Sequence, residues 1–212
     1  MNETVSDPVF CPFTQMIKPV LHSLCWVLAA CAICSLLTTN GADGAKTVLE
    51  TQASNELLDA IAREFPRSTI VQPSDIDPVN CGQIKAHPGL GEGDFNGDGR
   101  NDYAVLLKGR VKGEKEWQGK VLQLMEVDFV IFLREANGQL RSLRIEHLEN
   151  YYPFTAGIAI VKPGLIRESP VVGDRTVRLL HPGILMYLCG RSAAVFYWDR
   201  NTNSFDSITT ID

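Results

Sequence analysis

The chain has 212 residues, 45% of them hydrophobic and 21% charged, which is enough for one globular domain with an appendage. Its formal net charge is −5, from 25 acidic and 20 basic side chains, and no lysine- or arginine-rich run occurs. Because nucleic acids and anionic membranes bind through basic faces, the composition argues against a nucleic-acid partner and against an electrostatic membrane patch.

The first 45 residues predict an export segment, and residues 46–212 predict a single domain. Residues 20–37 (VLHSLCWVLAACAICSLL) are almost wholly apolar, Lys18 precedes them, and small and polar residues follow as far as Ala45. This arrangement is typical of a cleaved secretory signal, and Met16 is an alternative start. The chain is therefore predicted to be periplasmic or secreted, and to meet the membrane only through this segment.

Two other interpretations of this segment remain open. About 18 apolar residues is the lower limit for a membrane-spanning helix, so the segment could be a retained N-terminal anchor. Residues 28–31 (LAAC) resemble the bacterial lipobox, in which Cys31 would be acylated.

Two of the six cysteines, Cys81 and Cys189, lie in the predicted domain. An even pair in an oxidising compartment predicts a disulfide bond. The alternative is a pair of buried free thiols, because cysteine is among the most frequently buried residues.

The segment Thr47–Phe65 predicts one helix. Thr47 and Glu50 have the spacing of a capping box, and Pro66 is expected to end the helix. One apolar stripe follows the helical period, with Leu58 beside it: Ala53, Leu57, Ile61 and Phe65. The stripe is expected to pack on a sheet.

The chain after residue 102 predicts a series of antiparallel strands. The candidate segments succeed one another without helical patterns, and Gly, Pro and Asn turns separate them. They are Tyr103–Lys108, Val121–Arg134, Leu140–Leu148, Ile158–Val161, Thr176–Leu180, Gly183–Leu188, Ala193–Trp198 and Phe205–Thr210. The expected fold class is α+β, with the N-terminal helix packed on a twisted antiparallel sheet.

Residues 94–102 (DFNGDGRND) carry the most specific chemical signal of the chain. Oxygen-bearing side chains stand at positions 1, 3, 5 and 9 of this glycine-broken loop: Asp94, Asn96, Asp98 and Asp102. Calcium takes six to eight oxygen ligands at about 2.3–2.6 Å, and the Arg100 carbonyl would add a backbone oxygen. Three crowded carboxylates would repel one another without a cation. The loop therefore predicts a Ca²⁺ site that leads into an early strand.

The loop has two other possible interpretations. An EF-hand requires a glutamate at position 12, where this chain has Val105, so that motif is disfavoured. A metal-free turn would use the same Asn-Gly and Asp-Gly pairs. A plain turn gives no reason, however, for aspartate at both position 1 and position 9.

The segment 93–105 (GDFNGDGRNDYAV) resembles the calcium loop and following strand of FG-GAP/VCBS-type repeats. It is also similar to single-copy exported bacterial proteins that carry this loop, and residues 195–199 with Phe205 resemble their closing hairpin. The resemblance implies export and the following calcium ligands: Asp94, Asn96, Asp98, Arg100 and Asp102. Because one copy cannot form a propeller of four to eight blades, propeller functions are not implied.

No nucleophile elbow, Walker loop or dinucleotide fingerprint occurs in the sequence. His147, beside Glu146 and Glu149, is the one candidate for acid–base chemistry. The expected function is therefore an exported, calcium-stabilised, non-catalytic module that binds a protein or another envelope component. The alternatives are a periplasmic inhibitor or immunity-type protein and, from a third class, a hydrolase with an unrecognised site.

Overall fold

Antiparallel β-strands make up most of the part of the chain that the structure, a computed structural model, describes. These are residues 53–82, 86–117 and 119–210. The predicted export segment lies outside them. Within these ranges, no helix has both the length and the apolar character needed to cross a membrane.

The described elements are two short α-helices and eleven strands. The helices are α1 (Asn55–Glu64) and α2 (Pro78–Cys81), with a 3₁₀ turn at Pro73–Asp75 between them. The strands are β1 (Thr69–Ile70), β2 (Leu90–Gly93), β3 (Asp102–Trp117), β4 (Lys120–Arg134), β5 (Leu140–Tyr152), β6 (Ala156–Val161), β7 (Gly164–Arg167), β8 (Thr176–Leu179), β9 (Gly183–Leu188), β10 (Ser192–Asp199) and β11 (Ser204–Thr210).

The strands form three sheets, where the sequence had predicted one. The first has the order β1-β3-β4-β5 with β2 also paired to β3, the second has the order β11-β10-β9-β6, and β7 pairs with β8 alone. Every strand pair is antiparallel, as predicted. Helical content is smaller than an α+β class suggests. The division into layers follows from β4, whose residues 127–133 are all buried, so its sheet needs cover on both faces.

Three apolar clusters hold these layers together. Leu106 and Phe129 of the first sheet meet Ile184 and Phe196 of the second sheet in the main core. On its other face, the first sheet packs against α1 through residues such as Val105 and Phe132. A smaller cluster joins the second sheet to β7 and β8. The helix, the first sheet, the second sheet and the β7–β8 pair therefore follow one another as layers.

Helix α1 confirms most of the predicted stripe and corrects its start. Leu57 and Ile61 are buried in the helix and Phe65 follows at its end, whereas Leu58, placed beside the stripe, is 46% exposed. Ser54 has an extended backbone and its hydroxyl accepts the Leu57 N–H at 3.2 Å. A continuous helix from Thr47 is therefore wrong, because Ser54 acts as the N-cap. Residues 47–52 lie outside the described ranges.

The predicted disulfide is confirmed. Cys81, at the end of α2, is bonded to Cys189, which follows β9, with a Cα–Cα distance of 5.0 Å. The bond ties α2, which precedes the acidic loop, to the second sheet. Disulfides persist in oxidising compartments, so this bond fits the expectation of such an environment.

Candidate metal loop and adjoining pocket

The acidic loop, residues 94–101, connects β2 to β3 at one end of the first sheet. The two strands pair antiparallel, and Gly93 lies opposite Asp102 at the base of the loop. All five predicted metal ligands therefore belong to one hairpin, and the loop leads directly into a strand as the sequence predicted.

Asp94 organises the backbone of the loop. Its Oδ1 accepts the N–H groups of Gly97 at 2.8 Å and Asp98 at 3.0 Å, and its Oδ2 accepts the Gly99 N–H at 2.9 Å. Gly97 and Gly99 have φ angles of 76° and 82°, a region that favours glycine. One carboxylate thus holds the loop closed through three backbone hydrogen bonds.

Asp98 faces a cation from its own loop. Its Oδ1 accepts the Arg100 backbone N–H and its Oδ2 accepts the Arg100 guanidinium, both at 2.9 Å. Asn96 adds a contact on each side, through Oδ1 to the Asp98 N–H and through Nδ2 to Asp98 Oδ2. Burial raises the pKa of the Asp98 carboxyl, but the hydrogen bonds from Arg100 and Asn96 outweigh it and hold the pKa below its ordinary value. Asp98 is therefore ionised at neutral pH, and the Arg100 guanidinium balances part of its negative charge.

Asp102 is a buried anchor at the base of the loop. Its side chain is 0% exposed, its Oδ2 accepts the Phe95 N–H at 3.0 Å, and its Oδ1 accepts the Arg134 N–H at 2.8 Å. Burial raises its pKa to about 6 against the opposing effect of these two hydrogen bonds, and the charges of Asp98 and Asp94 add to the rise. The ionised form of Asp102 is therefore costly here.

The fit of the loop to a cation is partial. Side-chain oxygens and the Arg100 carbonyl are present in one short hairpin, which suits a hard cation. In the described ranges, however, no three His, Cys, Asp or Glu side chains form a group that could hold a metal ion. Asp98 is turned to Arg100, and both oxygens of Asp102 already accept backbone N–H groups.

Two residues outside the predicted ligand set fix the loop to the rest of the fold. Phe95 is fully buried in the main core. A single aromatic residue between two polar residues was the sequence signal that could have predicted this burial. His181, between β8 and β9, packs its ring on Gly97 so closely that a Cβ there would lie 2.2 Å from Nε2. No local pattern predicts this second contact, because the two residues are far apart in sequence.

His181 also lines a pocket beside the loop. This cavity of about 530 Å³ is formed by residues 176–181 and 197–201. His181 Nε2 lies 2.5 Å from Nη2 of Arg200, so one ring contacts both the acidic loop and a pocket arginine. The loop and the pocket are therefore adjacent.

His147 has a different acidic partner from the neighbours considered in the sequence. Its Nδ1 lies 2.7 Å from Oδ1 of Asp128, which β4 places directly opposite it, and the Arg144 Nε is 3.3 Å from the same oxygen. Asp128 is 8% exposed. Within residues 53–82, 86–117 and 119–210, no hydroxyl or thiol is hydrogen-bonded to His147. The pair orients an imidazole without a nucleophile beside it.

Comparison of the chain with protein-family models, with curated proteins and with solved structures gives no match.

Proposed function

We propose that the protein is an exported calcium-binding module in which the metal is structural and the activity is binding, not catalysis. The observation that carries this proposal is the Asp94 carboxylate, which accepts three backbone N–H groups and closes the loop of a hairpin that holds three carboxylates. Such a loop concentrates negative charge on a backbone that is already folded, so a cation gains binding energy at little ordering cost.

The calcium ligands in this proposal are the predicted ones: Asp94, Asn96, Asp98, the Arg100 carbonyl and Asp102. The bound ion would supply positive charge to the loop and stabilise the ionised carboxylates. The burial of Asp102 supports this role, because its ionised form lacks a cation partner in the described ranges. The Arg100 guanidinium occupies Asp98 and would compete with the ion for that carboxylate.

Binding is preferred over hydrolysis because the candidate acid–base residue, His147, is oriented by Asp128 with no nucleophile bonded to it in the described residues. The disulfide between Cys81 and Cys189 supports an oxidising compartment. We propose that the partner is a protein or another component of the cell envelope.

Thermal melting of the purified protein in calcium, in magnesium and in chelator tests the metal. Extracellular calcium modules have Kd values of about 10⁻⁴–10⁻³ M, so about 10 mM calcium should stabilise the fold by about 1.4–2.7 kcal/mol. For a domain of this size that is a rise of roughly 3–10 °C in Tm. Magnesium should give a smaller rise, because it demands a stricter octahedral geometry. A Tm that calcium leaves unchanged would remove the proposal.

A matched pair of variants assigns the effect to the loop. Asp98→Asn removes one charge while the amide oxygen keeps the hydrogen bond to the Arg100 N–H, and it should abolish most of the calcium-dependent rise. Asp174→Asn removes one charge from an exposed position in the β7–β8 connection and should leave the rise intact. Equal calcium responses in the two variants would place the ion elsewhere.

A further inference from the structure

We infer that the pocket beside the acidic loop binds a small ligand that carries an oxyanion, a carboxylate or a phosphate ester, through Arg178 and Arg200. This inference goes beyond the proposed calcium site, because it assigns a second ligand to a different set of residues.

The pocket has the dimensions of a small-molecule site. Its volume of about 530 Å³ falls within the range of about 300–1,000 Å³ that is usual for ligand pockets. One wall comes from β8 and the residues that follow it, and the other comes from the end of β10 and its turn into β11. Tyr197 of β10 lines the second wall on the same side as the cluster under β7 and β8, and it offers aromatic surface to the body of a ligand.

The charge of the lining favours an anion. Arg178 and Arg200 are both exposed, and Arg178 makes no hydrogen bond or ion pair in the described part of the chain. The one acidic lining residue, Asp199, is engaged by its own turn: Oδ1 accepts the Asn201 N–H at 2.9 Å and Oδ2 accepts the Thr202 hydroxyl at 3.3 Å. The two guanidinium groups therefore lack a carboxylate partner within the pocket.

His181 positions one of these guanidinium groups. Its Nε2 lies 2.5 Å from Arg200 Nη2, and a guanidinium can only donate, so Nε2 is the acceptor of this contact. The same ring packs on Gly97, which limits its movement. Arg200 has five N–H donors and uses one here, so the remaining fork is available to a ligand. An arginine held in place in this way loses less side-chain entropy on binding.

The guanidinium fork sets the chemical class of the ligand. Its planar donors match the two oxygens of a carboxylate or a phosphate, and hydrogen bonds between ionised groups are about twice as strong as neutral ones. A neutral ligand would leave both positive charges unmatched. We therefore expect an anionic group at the arginines and a compact body, such as a sugar ring, against Tyr197.

Calorimetric titration of the purified full chain provides the test, after metal ions have been stripped with chelator and the chelator has been removed by dialysis into calcium-free buffer. Glucuronate presents a carboxylate, glucose 1-phosphate presents a phosphate ester, and glucose is the uncharged control. At least one of the two anionic sugars should bind with a stoichiometry of one, and glucose should not. Which sugar binds more tightly identifies the source of the oxyanion. Because the buffer contains no calcium, the result is independent of whether calcium binds to the loop.

Three variants connect the binding to the pocket. Arg178→Gln and Arg200→Gln should each weaken it about ten-fold or more, the usual loss for a hydrogen bond to a charged group. Arg191→Gln is the matched control, because Arg191 is exposed at the opposite end of β10 and outside the pocket. It should leave the affinity unchanged.

Two results would overturn the inference. One is the absence of binding of both anionic sugars at concentrations up to about 10 mM, a weak affinity even for a fragment. The other is binding that Arg178→Gln leaves unaltered. This variant decides the question even if Arg200→Gln perturbs His181, because Arg178 has no hydrogen bond or ion pair to lose among the described residues. A melting curve of each variant confirms that the fold is intact.

Discussion

Gly97 is the residue at which the acidic loop and the pocket meet, and two separate constraints act on it. Its φ of +76° disfavours any residue with a Cβ, and a Cβ there would lie 2.2 Å from two atoms of the His181 ring. Gly99 shares the first constraint, with a φ of +82°, but a Cβ there would have nothing within 4 Å. The pair of glycines therefore separates backbone strain from crowding.

Alanine substitutions at these two glycines should have unequal costs. Gly99→Ala should lower the free energy of unfolding by about 1–2 kcal/mol, the cost of a left-handed backbone for a residue with a Cβ. Gly97→Ala should cost about 1–3 kcal/mol more, because the His181 ring must also shift. Urea unfolding followed by circular dichroism measures both values. Equal losses would show that the contact between Gly97 and His181 carries no energy.

The sequence placed the five predicted ligand residues in one short loop but did not distinguish the places of the three carboxylates in the fold. Spacing alone makes Asp94, Asp98 and Asp102 equivalent. In the structure Asp94 folds the loop backbone, Asp98 pairs with Arg100, and Asp102 holds the base of the hairpin from a buried position. These roles depend on which N–H groups and charges surround each carboxylate, and packing decides that.

At the scale of elements, β3 follows the acidic loop and also contacts the 3₁₀ turn at Pro73–Asp75. Lys108 in this strand places its Nζ 2.6 Å and 2.7 Å from the two oxygens of Asp75, in the 3₁₀ turn. Asp75 is 4% exposed and also accepts the Gln72 N–H at 2.7 Å. The turn is thus fixed to the first sheet by a mostly buried ion pair, while the nearby disulfide ties α2 to the second sheet.

Removing the lysine from this pair should destabilise the protein strongly. Lys108→Met leaves the Asp75 carboxylate buried without a cation, which should lower the free energy of unfolding by about 2–4 kcal/mol. Lys112→Met in the same strand is the matched control. Lys112 pairs with Glu126 at 2.8 Å, and Arg110 stays beside that carboxylate, so the loss should be below about 1 kcal/mol. Similar losses in the two variants in a chemical denaturation series would contradict this ranking.

At the scale of the whole described domain, the layers are joined by one covalent link between distant parts of the chain. The disulfide connects positions separated by 108 residues, from α2 before the acidic loop to the end of β9 in the second sheet. A bond that closes a long loop restricts the unfolded chain more than one that closes a short loop. The disulfide therefore contributes to the stability of the whole domain, and not only to that of α2 or β9.

The double variant Cys81→Ser/Cys189→Ser should lower the free energy of unfolding by about 3–5 kcal/mol. For a domain of this size, the same loss corresponds to a fall of roughly 6–20 °C in Tm. Wild-type protein melted in reductant should show the same fall, which separates the lost bond from any effect of the serine side chains. An unchanged Tm in both samples would contradict the expected contribution.

The sequence by itself determined the features that depend on local pattern or on counting. Glycine placement and alternating oxygen side chains located the acidic loop, apolar periodicity located much of α1 and most of the strands, and two cysteines in the domain left one possible pair. Only the tertiary structure decided that the strands divide into three sheets, and that Gly97 meets His181 and Lys108 meets Asp75. Those contacts join residues far apart along the chain, so they depend on strand register and layer packing, which no short segment encodes.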